Sequence, residues 1–345
     1  MSEERKLVLS FVCGDNSGPA YHDIFIPCKY YQKYDLIEAR LQFNLDPNPL
    51  QAADMIVLQR QYAPEALMLV RKMRAAGKTV FALVDDNMWE IPKANPAFST
   101  YQGLILQRME QILHESSAGL TSTEHIANHM RRYNPRSFVQ RNLVEPEITG
   151  YLAEGRDNPD EVRIGWTGTP HHHDDVLLIK PVFRAICQKY KNVKFIFMGW
   201  EPNWRREVIP DEQFEFYQFV NVDAFYPCMA NLDFDIGIAP LADNGFNLGK
   251  TARKAQEYSI LQIPMVLADV GPYKAYTHGV NAMIPRNNSL SAWIEFLGQL
   301  VENKEKRDEL AKNAYAHVME NHDINKFIKE RVDIMVNVWK EEHNA

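Results

Sequence analysis

Short apolar runs recur along the chain, separated by stretches in which apolar residues return every three or four positions. A run of four to eight bounded by turn residues reads as a strand buried on both faces of a parallel sheet, whereas the longer period reads as a helix with one buried face. On this basis residues 6–12, 54–58 and 79–84 are predicted strands. Between the last two, residues 64–76 form an amphipathic helix with Leu67, Val70 and Met73, together with Ala66, as its buried stripe. Gly77 is expected to end that helix by adopting positive φ. Residues 109–125 read as helix, strand and a capped helix start at Ser122 to His125. A polar segment, residues 145–160, with Gly150, Gly155 and Pro159, reads as a linker. The rhythm then restarts. Strands are predicted at 162–166, 193–198, 214–220, 236–239 and 265–268, and helices at 176–190 and 250–261. Residues 291–319 are helical in period, and a last helix at 323–341 buries Phe327, Ile328, Val332, Met335 and Trp339. The restart predicts an α/β protein of two similar Rossmann-like domains, residues 1–155 and 156–320, followed by a terminal helix segment at 321–345.

The most informative stretch is residues 235–273. A buried strand closed by Pro240 leads into a polar loop, 241–249, and then into a helix on which Lys250, Lys254 and Glu257 share one face near the N-terminal end. Free backbone N–H groups, the helix dipole and two lysines there favour an anion, and a diphosphate fits. Glu257, one turn on, is placed to accept hydrogen bonds from ribose hydroxyls. The same pattern also describes a solvated helix face with an ion pair between Lys254 and Glu257.

Composition narrows the classes. The 345 residues are 46% hydrophobic and 24% charged, an ordinary globular balance. A net charge of −7 provides no general attraction to nucleic acid or to an anionic membrane. The first 150 residues carry 16 basic and 17 acidic side chains, the remainder 22 and 28, so the N-terminal part is the better suited to an anionic partner. Cys13, Cys28, Cys187 and Cys228 form no CxxC pair, which is the usage of a reduced compartment. No apolar run approaches a membrane span, and the polar start MSEERK is unlike a signal peptide, so a cytoplasmic protein is expected.

The central stretch resembles the nucleotide-sugar site of the retaining GT-B glycosyltransferases. The resemblance rests on Ala239-Pro240-Leu241, Gly245-Phe246-Asn247, Lys250, Lys254, Glu257-Tyr258, Ile263-Pro264-Met265-Val266 and Gly271-Pro272-Tyr273. It implies a GT-B fold, with two Rossmann-like domains facing across a cleft and the terminal helix crossing back onto the first. It further implies transfer from a nucleotide sugar, UDP-linked by preference, without a metal or other cofactor. Lys250 and Lys254 would neutralise the departing diphosphate and Glu257 would hold the ribose, with Asn247 also at the donor. One departure stands out. The family pattern has a second glutamate eight positions before Glu257, and Gly249 stands there instead, which leaves the sugar contacts open.

The resemblance extends to Gly165-Trp166-Thr167-Gly168-Thr169-Pro170, which is similar to a phosphate loop of one branch of the family and runs into His171-His172-His173-Asp174-Asp175. It implies Gly168, Thr169 and His173 beside the diphosphate. Three adjacent histidines cannot all meet one tetrahedral centre, so zinc is not expected there. The loop 13–19, including Gly18, is implied to face the cleft near donor phosphates or acceptor. Asp85-Asp86, after a strand, suits an acceptor-side or capping role, with Asp86 a catalytic candidate, and His125 is implied to approach the donor sugar. Asp233 and Asp235 form a DxD, but at a strand entry, where a structural role is expected. Tyr30, Tyr31 and Tyr34 read as core or interface. Arg131, Arg132, Arg136 and Arg141 form the one basic concentration of the first half, suited to a phosphate-bearing acceptor or to a solvated helix end. The acceptor is left open among saccharide, small molecule and modified nucleic acid, the last implying a viral-type DNA-modifying enzyme. Loss of the first glutamate also fits a non-catalytic binding or scaffold protein.

Overall fold

A computed structural model describes residues 5–14, 18–152 and 160–343. Asp15, Asn16 and Ser17 of the first glycine loop, and residues 153–159 with the 155/156 boundary, lie outside the described residues. The chain divides into two compact units, Met1–Leu143 with Gly249–Thr251 and Ile324–Ala345, and Val144–Leu248 with Ala252–Asp323.

The first unit is built on a six-stranded parallel sheet of β1 (Val8–Val12), β2 (Glu38–Gln42), β3 (Met55–Gln59), β4 (Thr79–Leu83), β5 (Ala118–Thr121) and β6 (Ser137–Val139), in the order β2-β1-β3-β4-β5-β6. β1, β3 and β4 are buried along their whole length, which is why each is apolar at all but one position. β2, by contrast, reads Glu-Ala-Arg-Leu-Gln and is largely exposed at the sheet edge; with no apolar run, it was not predicted. The helix Pro64–Ala75 is as expected in extent, and Gly77 follows it at φ 74°. Its stripe is Ala66, Leu69, Val70 and Met73, at offsets of three, four and seven from the first, so Leu69 takes the inward place expected of Leu67. The terminal helix Ile324–His343 packs on the helix Ile26–Lys33 of this unit. Ile328, Val332 and Met335 are buried as predicted, whereas Phe327 and Trp339 are half-buried and Val338 lies inside. Arg331, 1% exposed, donates to the Arg141 carbonyl from Nε at 3.0 Å and to the Asp23 carbonyl at 3.1 Å.

The second unit holds a five-stranded parallel sheet of β7 (Val162–Thr167), β8 (Val193–Met198), β9 (Phe214–Tyr217), β10 (Ile236–Ala239) and β11 (Met265–Leu267), in the order β11-β10-β7-β8-β9. β9 is three residues shorter than expected. The helix expected at 176–190 is two, His173–Leu177 and Lys180–Lys189, because Pro181 cannot continue a helix but is well suited to start one. The helix Val222–Asn231, with Pro227 inside it, was not predicted. The loop 241–249 contains one helical turn, Gly245–Leu248. Among the described residues no helix is long and apolar enough to cross a membrane.

Candidate functional site

Read from β9, the second sheet runs third, second, first, fourth, fifth strand of its unit, so the crossover direction reverses between β7 and β10. In open α/β sheets ligands bind at the carboxyl ends of the strands flanking such a reversal. Here β7 ends at Thr167 and runs into Gly168 and Thr169, and β10 ends at Ala239 and runs into Pro240 and Leu241. Glycines allow the strands to seat. A Cβ on Gly165 would fall 2.1 Å from the Phe234 ring, and one on Gly237 would fall 2.7 Å from the Tyr258 ring. Tyr258 Oη in turn donates to the Ile238 carbonyl at 3.0 Å, fixing the following helix, Arg253–Ile260, against the point of reversal.

The two loops are tied together by Asp175, a buried carboxylate. Its Oδ1 accepts from the Ala242 backbone N–H at 2.8 Å and from Asn247 Nδ2 at 2.9 Å, while Oδ2 meets His172 Nδ1 at 2.8 Å. Lys254, in the first turn of the helix, donates from Nζ to the Thr167 carbonyl at 2.5 Å and stands 5.5 Å from the Trp166 ring centroid. Gly168 is pressed onto that same ring: a Cβ there would be 2.4 Å from it. Gly199, after β8, has φ 102°, and a Cβ on it would fall 2.4 Å from the Gly168 carbonyl oxygen and 2.7 Å from the ring of Phe219, which is 53% exposed. The result is a close-packed backbone loop, a lysine held over it, and the start of a helix beside it. Glu257 is buried one turn on; burial raises its pKa, opposed by the charges of Lys254 and Arg253.

Of the residues singled out by sequence, Gly168, Thr169, Asn247, Lys254 and Glu257 thus belong to one neighbourhood of the second unit. His173 lies on the same segment, paired with Asp174 at 2.9 Å and edge-on to Trp200 at 5.7 Å. Lys250 does not share a helix face with Lys254. The helix begins only at Arg253, after Ala252 at ψ 28°, and Lys250 falls in the first unit, 3.9 Å from Asp86. Asp86 is also 3.4 Å from Arg60, whose Nε donates to Asp85 at 2.7 Å. Burial pushes the Asp85 pKa up to about 6, with Arg60 opposing the rise and Asp86 adding to it. His125 is 2.8 Å from Glu90, and Thr123 caps its helix. Gly249, in place of the missing glutamate, accepts through its carbonyl from Thr123 Oγ1 at 3.0 Å.

Gly18 opens a short helix with nothing within 4 Å of a Cβ, so packing does not require glycine there; Gly14 is the residue that does, since a Cβ would be 2.8 Å from the Gln59 carbonyl oxygen. Asp235 accepts from the Arg163 backbone at 2.8 Å, the structural role expected of the DxD. Tyr30 and Tyr31 are buried and Tyr34 is 40% exposed. Arg131 pairs with Glu124, Arg136 with Glu341 at 2.7 Å and Arg141 with Glu330 at 3.2 Å, so three of the four clustered arginines are engaged in surface ion pairs. Sequence reasoning overlooked Asp175 as the tie between loops. Its partners Ala242 and Asn247 stand 67 and 72 positions away, so no local pattern signals the tie.

No protein-family model matches the chain, and no curated protein sequence matches it. Solved structures do. The Anabaena protein HepE in complex with UDP-glucose superposes with a TM-score of 0.69 at 13% identity, over 96% of this chain and 100% of that one. An α-glucosyltransferase in complex with UDP-glucose and DNA containing an abasic site gives 0.69 at 10% identity, over 96% and 99%. A glycosyltransferase from Rickettsia africae gives 0.67 at 11% identity, over 98% and 100%. The chain therefore has the GT-B glycosyltransferase fold.

Proposed function

We propose that the chain is a glycosyltransferase that takes its sugar from a UDP-sugar, held at the carboxyl ends of β7 and β10. The observation that carries this reading is Lys254, fixed to the Thr167 carbonyl at 2.5 Å above the Gly168 loop. When the bond between sugar and diphosphate breaks, negative charge builds on the departing phosphate, and a fixed cation stabilises that state more than the ground state. Gly168 and Thr169 offer close backbone approach and a hydroxyl. Glu257, buried and held at a raised pKa, is a carboxylate that two ribose hydroxyl donors would satisfy. Lysine charge serves here in place of a metal at the diphosphate. Retention of anomeric configuration, a cytoplasmic setting and an acceptor among saccharides, small molecules or modified nucleic acid belong to the same reading. The likeness to solved UDP-glucose complexes supports the donor class, although a fold by itself does not fix a reaction.

Gly249 favours a second reading, a UDP-sugar-binding protein that does not transfer. The assay that separates them is release of UDP from UDP-glucose and UDP-N-acetylglucosamine in the presence of a mixed acceptor panel. Release over many turnovers that Lys254→Ala abolishes supports the enzyme. Binding of one donor per chain without turnover across the panel supports the second reading.

A further inference from the structure

We infer that Glu90, His125 and His129 form a binding site for a divalent transition-metal ion of the zinc class. The site lies wholly within the first unit. Glu90 stands in the loop after β4, and the two histidines are one turn apart on the helix Glu124–Met130 that follows β5. A four-residue spacing puts both imidazoles on one face. His125 Nε2 and His129 Nε2 lie 2.8 and 3.1 Å from the same carboxylate oxygen, Glu90 Oε2. One ligand atom from each of the three residues falls within 4.8 Å of the others. Zinc bonds of about 2.0 to 2.1 Å to nitrogen set neighbouring tetrahedral ligands roughly 3.3 Å apart, so the two nitrogen-to-oxygen edges need only a small opening to seat the ion.

The triangle is braced from outside. The His129 ring stacks on Trp89 at 5.4 Å and 5° between planes, and Trp89 stacks on Tyr133 at 6.1 Å. Trp89 Nε1 and Tyr133 Oη both donate to Glu110, at 3.0 and 2.6 Å, and Asn87 Nδ2 donates to Glu90 at 2.6 Å. Such outer partners orient metal ligands before the ion arrives. Imidazole with carboxylate suits zinc, cobalt and iron rather than magnesium or calcium. Three protein ligands leave a fourth position for water or a substrate oxygen. His125 and Glu90, 32% and 38% exposed in their side chains, give an ion a way in from solvent. The His171–His173 run is different: His171 is near Thr169, His172 is on Asp175 and His173 is on Asp174, each turned to its own partner.

The test uses untagged full chain stripped with chelator and titrated with Co2+ and then Zn2+. The inference requires one Co2+ per chain with the visible d–d bands of a tetrahedral site, displaced by Zn2+. His129→Asn and Glu90→Gln should each weaken Zn2+ binding by at least about tenfold, with metal-free melting temperatures showing that both variants fold, while His171→Ala leaves binding unchanged. Absence of saturable uptake at one ion per chain would overturn the site and leave Glu90 as a hydrogen-bond acceptor for two imidazoles. Uptake that survives in His129→Asn and is lost in His171→Ala would overturn it equally.

Discussion

Replacing Lys254 with alanine removes one positive charge from a position the fold holds tightly, through the Thr167 carbonyl at 2.5 Å and the Trp166 face at 5.5 Å. A unit charge about 4 Å from a developing phosphate charge, at an effective dielectric near 20, is worth roughly 4 kcal/mol. Removing one fixed electrostatic partner of a transition state costs about 10²- to 10³-fold in kcat, which corresponds to roughly 2.7 to 4 kcal/mol, so the two routes agree. Part of that interaction already exists with the bound donor, so the dissociation constant should rise by less than the turnover falls. The assay pairs steady-state UDP release with a direct titration of UDP, on wild type, Lys254→Ala and Lys254→Arg. The expected result is a fall in kcat of at least about a hundredfold, a smaller loss in affinity, and partial recovery with arginine. The lost hydrogen bond to Thr167 costs on the order of 1.5 to 3 kcal/mol of stability, so a melting curve must show that the variant is folded at the assay temperature. A folded Lys254→Ala protein that turns over within about threefold of wild type, well under 1 kcal/mol of barrier, would refute the role assigned to this lysine.

Further outcomes follow from the same contacts. Gly168→Ala places a methyl 2.4 Å from the Trp166 ring, so the loop must shift, and calorimetry should show UDP binding weakened by tenfold or more, about 1.4 kcal/mol. Asp175→Ala leaves the Ala242 N–H and Asn247 amide without their acceptor, and should both lower the melting temperature and weaken UDP binding. Arg331→Ala opens the seat of the terminal helix on the Arg141 and Asp23 carbonyls, and should destabilise the protein by about 3 to 5 kcal/mol in urea unfolding. Asp85 binds its proton more tightly in the folded state, with a pKa raised from 3.8 to about 6, so stability should fall as pH rises through that window, by on the order of 2 to 3 kcal/mol. Melting curves of Asp85→Asn across the window should lack that slope; an unchanged slope would assign it to another group.

Apart from β9, which is half-buried and ends early, the strands that read correctly from sequence are those the fold buries along nearly their whole length, such as β10, whose four residues are all inside. What the pattern missed is where burial fails or backbone chemistry intervenes. β2 is exposed and carries no apolar run, and the helix Val222–Asn231 holds a proline that argues against a helix by propensity alone. The candidate site divides the same way. Gly168, Lys254 and Glu257 fall in one neighbourhood because the loop after β7 and the helix that follows β10 meet where the sheet reverses, and the sequence conveys that succession of strand, loop and helix start. Lys250 was misplaced because helical spacing was carried three residues ahead of the real start at Arg253, into a segment that belongs to the first unit and lies 3.9 Å from Asp86 of that same unit. Asp175 and the grouping of Glu90 with His125 and His129 depend on residues 67 and 35 positions apart meeting in space, which no local pattern records.

The central claim is that a uridine diphosphate sits at the carboxyl ends of β7 and β10. Amide hydrogen exchange with and without saturating UDP tests it most directly, since bound phosphate and ribose slow the exchange of the N–H groups they touch. The account predicts slowed exchange in peptides covering residues 165–170, 240–248 and 252–258, lost in Lys254→Ala at the same nucleotide concentration. Protection absent from all three, or appearing only in peptides of residues 5–143, would contradict it.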